Sequence, residues 1–123
     1  MKNGAWVIYQ GEGAYPAKIA NYINGVYNGP YFEFDGFGRM VLKASYKNNK
    51  LHGIVLKYLN GDLTQESNYK EGVLDGVYKE YSRNGILQKE INYKNGKLDG
   101  AFRYYDEHGK VNLEYLYKNG KQQ

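Results

Sequence analysis

Catalysis and metal binding need reactive side chains at spacings that bring them together, and this chain offers few. It has no cysteine, which excludes a thiolate nucleophile, a disulfide framework, a cysteine-based zinc site and a cysteine lipid anchor. Its two histidines, His52 and His108, lack a second ligand at a metal-binding spacing, so each reads as a turn or surface residue. Gly11-Glu12-Gly13 and Gly36-Phe37-Gly38 are fragments of a glycine-rich loop without the third glycine or a following helix. They predict no nucleotide cradle. The carboxylates Glu66, Glu90 and Glu114 recur once per 24 residues. Acid and base roles require two differently tuned carboxylates, and nothing sets one of these apart from the others. They predict a ladder of charges facing Lys79 and Arg103 on neighbouring strands. The expectation is a protein that is not an enzyme and holds no cofactor or metal.

The remaining reactive groups are cations and aromatic rings. Lys47, Lys70, Lys94 and Lys118, with Lys50, Lys97 and Lys121, sit around repeated turns. Such a lysine edge can meet anionic lipid or an acidic partner, or simply keep hairpin tips soluble and unpaired. Asp75, Asp99 and Glu71 lie among them and dilute the field, which favours the structural role. The net charge is +4, and acidic and basic residues are interspersed, without the clustered basic face that nucleic acid requires. Tyrosine is abundant, at 15 residues. Tyr and Arg are frequent interface anchors, which singles out Arg103, Tyr104, Tyr105 and Tyr115, with Phe32, Phe34 and Phe37 as a second aromatic cluster.

What positions these groups is a repeat. Tyr69–Gly76 reads YKEGVLDG, Tyr93–Gly100 reads YKNGKLDG and Tyr46–Gly53 reads YKNNKLHG, while a further copy begins at Tyr117. Starts at 46, 69, 93 and 117 give a period of 23 or 24 residues, the signature of units that bury apolar faces on their neighbours. A degenerate copy starts at Tyr22. The expected organisation is one repeat domain: an N-terminal half-repeat over 1–21, units at 22–45, 46–68, 69–92 and 93–116, and a truncated unit at 117–123.

Each unit reads as two strands and two turns. Seven Asn-Gly steps punctuate the chain, at Asn3, Asn24, Asn28, Asn60, Asn84, Asn95 and Asn119, and Asn-Gly supplies the positive φ of tight hairpins. First strands are predicted at Pro30–Phe34, Ile54–Leu59, Val77–Ser82 and Ala101–Tyr105. Second strands are predicted at Arg39–Tyr46, Leu63–Tyr69, Ile86–Tyr93 and Val111–Tyr117. By parity, Leu87, Ile91 and Tyr93 face one side, as do Val111, Tyr115 and Tyr117. Tyr78 and Tyr81 have opposite parity, requiring either a bulge or aromatics on both faces. The recurrent Gly29, Gly53, Gly76 and Gly100 predict sharp bends or bare backbone under a neighbouring ring. Helix is excluded except at Ala14–Asn21 and the last few residues, since glycine interrupts every other window. No leader-like or membrane-spanning apolar run is present, so the default expectation is a soluble cytoplasmic protein.

The pattern Tyr-x-Asn-Gly-x-Leu-x-Gly-x-aromatic-x-x-Tyr-x-x-x-Gly, over Tyr22–Gln123, resembles the MORN repeat in its bacterial variant class. Residues 22–45 depart from it, with Pro30, Gly36 and Gly38 in place of typical residues. The resemblance implies an all-β, elongated single-layer antiparallel meander of stacked β-hairpins. It also implies a binding protein. Bacterial proteins of this variant class are commonly antitoxin or immunity components that neutralise a toxin by binding it, and the alternative is a structural or membrane-associated scaffold. Blockade would come from the sheet face or from strand addition at a terminal edge.

Overall fold

The structure, a computed structural model, describes residues 1–9, 11 and 15–123. Every described element is a strand. The long strands are β1 (Gly4–Tyr9), β2 (Pro16–Ile23), β3 (Val26–Phe34), β4 (Met40–Lys47), β6 (Gly53–Leu59), β7 (Asp62–Lys70), β9 (Gly76–Tyr81), β10 (Leu87–Lys94), β11 (Lys97–Tyr105) and β12 (Val111–Lys118). Three two-residue strands join them: β5 (Lys50–Leu51), β8 (Val73–Leu74) and β13 (Lys121–Gln122). All belong to one sheet in which neighbours in sequence are neighbours in space, with β5 hanging on β4 and β8 on β7. With adjacent strands ~4.8 Å apart, the eleven strands of the main path extend about 50 Å.

Two kinds of turn alternate. On one edge are two-residue turns whose two residues both have positive φ, such as Asn95 (51°) and Gly96 (81°), the primed geometry that matches strand twist. These turns lock the stack. The N–H groups of Gly25, Asn49, Gly72, Gly96 and Gly120 donate to the carbonyls of Lys2, Tyr27, Leu51, Leu74 and Leu98, one unit earlier, at 2.7–2.9 Å. A second bond runs beside each. The side chains of Asn3, Asn28, His52, Asp75 and Asp99 accept from the N–H of Asn24, Asn48, Glu71, Asn95 and Asn119. The residue before each recurrent glycine is therefore an inter-unit clip. Asn, His and Asp interchange there because all the position needs is an acceptor.

On the other edge, Asp35 and Asp106 organise longer loops by accepting two backbone N–H bonds each. Those donors, Arg39 and then Phe37 for Asp35, Lys110 and then His108 for Asp106, hold both carboxyls below the usual carboxylate range.

The recurrent glycines sit where the chain bends between units, with φ of 106°, 99°, 117° and 105° at Gly29, Gly53, Gly76 and Gly100. The neighbour lying over Gly29, Gly76 and Gly100 is an asparagine side chain, not an aromatic ring.

Ala14–Asn21 is not helical. From Pro16 onward it is β2, paired on both sides with β1 and β3, and Ala14 lies outside the described residues. Two flanking strands satisfy its backbone, which outweighs its freedom from glycine. The last residues likewise form β13 and not helix. Aromatics occupy both faces, as the parity of Tyr78 and Tyr81 allowed. Register shifts put Leu87 opposite Tyr81 and Val111 opposite Tyr105, so these two leave the face shared by Ile91, Tyr93, Tyr115 and Tyr117.

Candidate binding surface

A one-layer sheet has two faces, and here they differ in chemistry. The first is a tyrosine face. Cross-strand pairing sets Trp6 opposite Ala20, Ala20 opposite Tyr31 and Tyr31 opposite Ala44; further along, Val55 faces Ser67, and Tyr78, Ile91, Phe102 and Tyr115 follow one another. Large rings lie over small residues, so Ala20, Ala44 and Ser67 are buried without a second layer. Next to this row Tyr22 stacks on Tyr27 at 5.0 Å, and Tyr46 meets Tyr27 and Tyr31 at 5.1 and 5.3 Å. Such ring pairs add ~0.5–1.5 kcal/mol each beyond area burial.

Several of these rings have their polar tips engaged. Tyr31 and Tyr78 donate to Glu33 and Glu80 at 2.6 and 2.8 Å; burial, reinforced by those carboxylates, pushes both phenols up. Lys18 donates to the Tyr27 hydroxyl at 2.8 Å and pulls that phenol down. Lys18 and Lys89 also lie over ring pairs, Tyr27/Tyr31 and Phe102/Tyr104, at 5.3–5.8 Å. This face is the core of the protein. Ser67 is its one defect: the buried hydroxyl has no hydrogen-bond partner among the described residues.

The opposite face carries a single row that crosses ten strands. It runs Val7, Ile19, Phe32, Lys43, Leu56, Glu66, Lys79, Glu90, Arg103, Glu114, each directly opposite the next. The carboxylate ladder read from the sequence is present in that register. Its end is an ion-paired triad, with Arg103 Nη1 3.0 Å from Glu90 Oε1 and Arg103 Nε 2.6 Å from Glu114 Oε2. The other half of the row is apolar apart from Lys43, and Val7 at one end is 48% exposed.

Beside that apolar half lies an open groove of about 520 Å³ between β3–β4 and β6, lined by Pro30, Lys43, Ala44, Ser45, Gly53, Ile54 and Leu56. At the corresponding junctions an asparagine spans the gap. Asn21, Asn68 and Asn92 donate through Nδ2 to the carbonyls of Pro30, Val77 and Ala101 at 2.7–2.9 Å. Serine replaces asparagine at position 45 and donates no such bond, and the junction is wider there, with no Ser45 atom within 4 Å of where a Cβ on Gly53 would lie. The sequence reading missed this groove, although the column Asn21, Ser45, Asn68, Asn92 in the aligned copies holds the signal.

The residues proposed as anchors do not form one patch. Alternation puts Arg103 and Tyr105 on the ladder face, whereas Tyr104 and Tyr115 lie on the tyrosine face with Phe102. Arg103 is already held between two carboxylates. Phe32 and Phe34 share the ladder face, and Phe37 projects from the β3–β4 loop, 76% exposed, against the Arg39 guanidinium. His52 serves the stack and His108 sits in a loop. No group of three or more His, Asp or Glu residues among those described is placed to hold a metal. Of the two glycine fragments, Gly36 and Gly38 belong to the Asp35 loop, and Glu12 and Gly13 lie outside the described residues.

At the turn edge Lys47 lies opposite Lys50, Lys94 opposite Lys97 and Lys118 opposite Lys121. None of them has a carboxylate within ion-pair distance among the described residues.

Residues 74–95 and 98–119 match the MORN repeat variant. Each matched stretch runs from the Leu-Asp-Gly step through one hairpin to the next turn, β9–β10 in one case and most of β11 with β12 in the other. These are the two copies whose sequences agree best. MORN repeats are binding modules for proteins or membranes. No curated protein matches the chain. No helix among the described residues is long and apolar enough to cross a membrane.

Proposed function

We propose that this chain is a non-catalytic protein-binding module that engages its partner with the ladder face. One observation carries the reading: an apolar row from Val7 to Phe32, resumed at Leu56, lies on a sheet with no second layer to cover it. The tyrosine face holds the protein's buried core, whereas no residue of this row is fully buried. Interface centres favour such depletion of charge, and the ion-paired half beside it sets orientation.

The specific form of this activity that we favour is an antitoxin or immunity function, in which a cytoplasmic chain occludes a toxin without chemistry of its own. The resemblance of the repeats to the bacterial variant class supports this form. Co-expression with the products of the flanking genes tests it. A complex that survives purification and is lost in Phe32→Asp or Leu56→Asp supports the reading. Absence of any complex at micromolar concentration overturns the antitoxin form, and a complex indifferent to both substitutions overturns the choice of face.

A second reading rests on the turn edge. Like charges directly opposite each other destabilise a sheet, yet three hairpin tips carry Lys–Lys pairs. That cost is recovered if the edge meets phosphate-rich lipid or an acidic partner. Co-sedimentation with anionic vesicles should then appear at low salt and fade by ~0.5 M, where the Debye length is only a few ångströms. No binding at low salt removes this reading.

A further inference from the structure

We infer that the groove between β4 and β6 receives a carboxamide side chain, asparagine or glutamine, from the protein partner. The inference rests on the reading of the ladder face as the binding face and names the chemistry recognised there. The chain shows what this junction accepts, because three equivalent junctions hold an amide of their own. At each, a side-chain Nδ2–H2 group bridges to a backbone carbonyl nine residues on, at 2.7, 2.8 and 2.9 Å. Its Cβ lies 3.0–3.3 Å from where a Cβ on the recurrent glycine would stand.

At the β4–β6 junction the bend is kept, the plug is missing and the strands stand farther apart, since even Ser45 Cβ lies more than 4 Å from where a Cβ on Gly53 would be. Gly53 keeps the same bend, with φ 99°, but nothing lies within 4 Å of where its Cβ would be. Pairing between β4 and β6 stops at Lys43 opposite Leu56, short of Ile54, whose carbonyl is the equivalent of those at Pro30, Val77 and Ala101. No side chain of the described residues donates to it. A carboxylate would set acceptor against acceptor here, and a hydroxyl like that of Ser45 does not reach; a primary amide supplies the donor at the right length. The walls formed by Pro30, Ile54 and Leu56 are apolar, so the arriving amide displaces water from them while its N–H group meets the Ile54 carbonyl. The groove adjoins the Phe32–Leu56 stretch of the apolar row, so a partner lying on that row brings a side chain within reach.

Isobutyramide, with isobutyrate as its isosteric control, tests the proposal in a titration of backbone amide resonances. The expected result is saturable shifts confined to residues 43–45 and 53–56, with a dissociation constant on the order of 10 mM and isobutyrate at least about tenfold weaker. Ser45→Asn, which restores the plug found in the sister units, should abolish the shifts, and Ser45→Gln provides a second blocked variant should the first not fold. Absence of saturable shifts, equal binding of the carboxylate, or unchanged shifts in both blocked variants would overturn the proposal. The ladder-face reading is judged separately. A partner complex lost in Phe32→Asp but retained in Ser45→Asn refutes the groove and keeps the face, whereas one retained in both refutes the face.

Discussion

The recurrent glycines allow backbone strain to be separated from steric crowding within one molecule. Alanine at Gly53 must adopt φ near 99° but meets no atom within 4 Å. Its cost is conformational alone, about 1.5 kcal/mol for a non-glycine residue held in that region. Alanine at Gly76 carries the same strain at φ 117° and in addition sets its Cβ 3.0 Å from Asn68 Cβ. Relieving that overlap adds roughly 2 kcal/mol, within the usual range for overpacking, for a total near ~3.5 kcal/mol. At about 3–6 °C per kcal/mol for a chain of this size, Gly53→Ala should lower Tm by about 5–9 °C and Gly76→Ala by about 10–20 °C. The double variant Asn68→Gly/Gly76→Ala removes the Asn68 Cβ that crowds the new methyl. It loses the Asn68–Val77 bond, worth ~1 kcal/mol, but regains the space. Its loss should therefore fall short of the sum of the two single losses by roughly 2 kcal/mol, the coupling read in a double-mutant cycle. Urea unfolding followed by far-ultraviolet circular dichroism reads the wild type, the two alanine variants, Asn68→Gly and the double variant. Equal losses at Gly53 and Gly76, or a double variant equal to the sum of its parts, would refute the assignment of Asn68 as the crowding group.

Three further outcomes are expected. Ser67→Ala should stabilise the protein by about 1 kcal/mol in the same assay, since it removes a buried hydroxyl without a partner and alanine already stands at the equivalent Ala20 and Ala44; a loss of stability would mean that the hydroxyl is bonded. Asn60-Gly61 should be the fastest site of deamidation by peptide mapping. There the Gly61 nitrogen that attacks the side-chain amide, expelling ammonia, has no hydrogen-bond partner among the described residues, whereas those of Gly25, Gly85, Gly96 and Gly120 are bonded; faster conversion at Asn95 or Asn119 would refute the protection. Finally, Asp35 and Asp106 have carboxyl pKa values lowered by folding, so their contribution is complete above the unfolded value near ~3.9 and is lost as pH falls through the lower folded values. Tm should therefore drop below about pH 4, and Asp35→Asn/Asp106→Asn should make that drop shallower; an unchanged acid limb would show that the two loops contribute no linkage.

Much of this architecture was legible before any coordinates. The period of 23 or 24 residues, the Asn-Gly steps and the aromatic-rich runs predicted hairpins, and eight long strands lie within a few residues of the expected positions. The ladder of Glu66, Glu90 and Glu114 against Lys79 and Arg103 was readable too, because a constant repeat length keeps equivalent residues in register. The short strands β5, β8 and β13 were not readable. Two residues carry no periodicity, and these exist only because a tight turn folds them back onto the preceding strand.

The chain by itself determined the repeat, the turns and the composition of each row, since these depend on local φ preference and spacing. Tertiary structure decided which face each row occupies, because one-residue bulges at the hairpin ends reverse parity and sent Leu87 and Val111 to the side opposite Ile91 and Tyr115. It also divided the Arg103–Tyr105 cluster between two surfaces, by the strict alternation of a strand. And it opened a groove at the one junction of four where serine stands for asparagine, since there the strands sit farther apart than beside Gly29, Gly76 and Gly100.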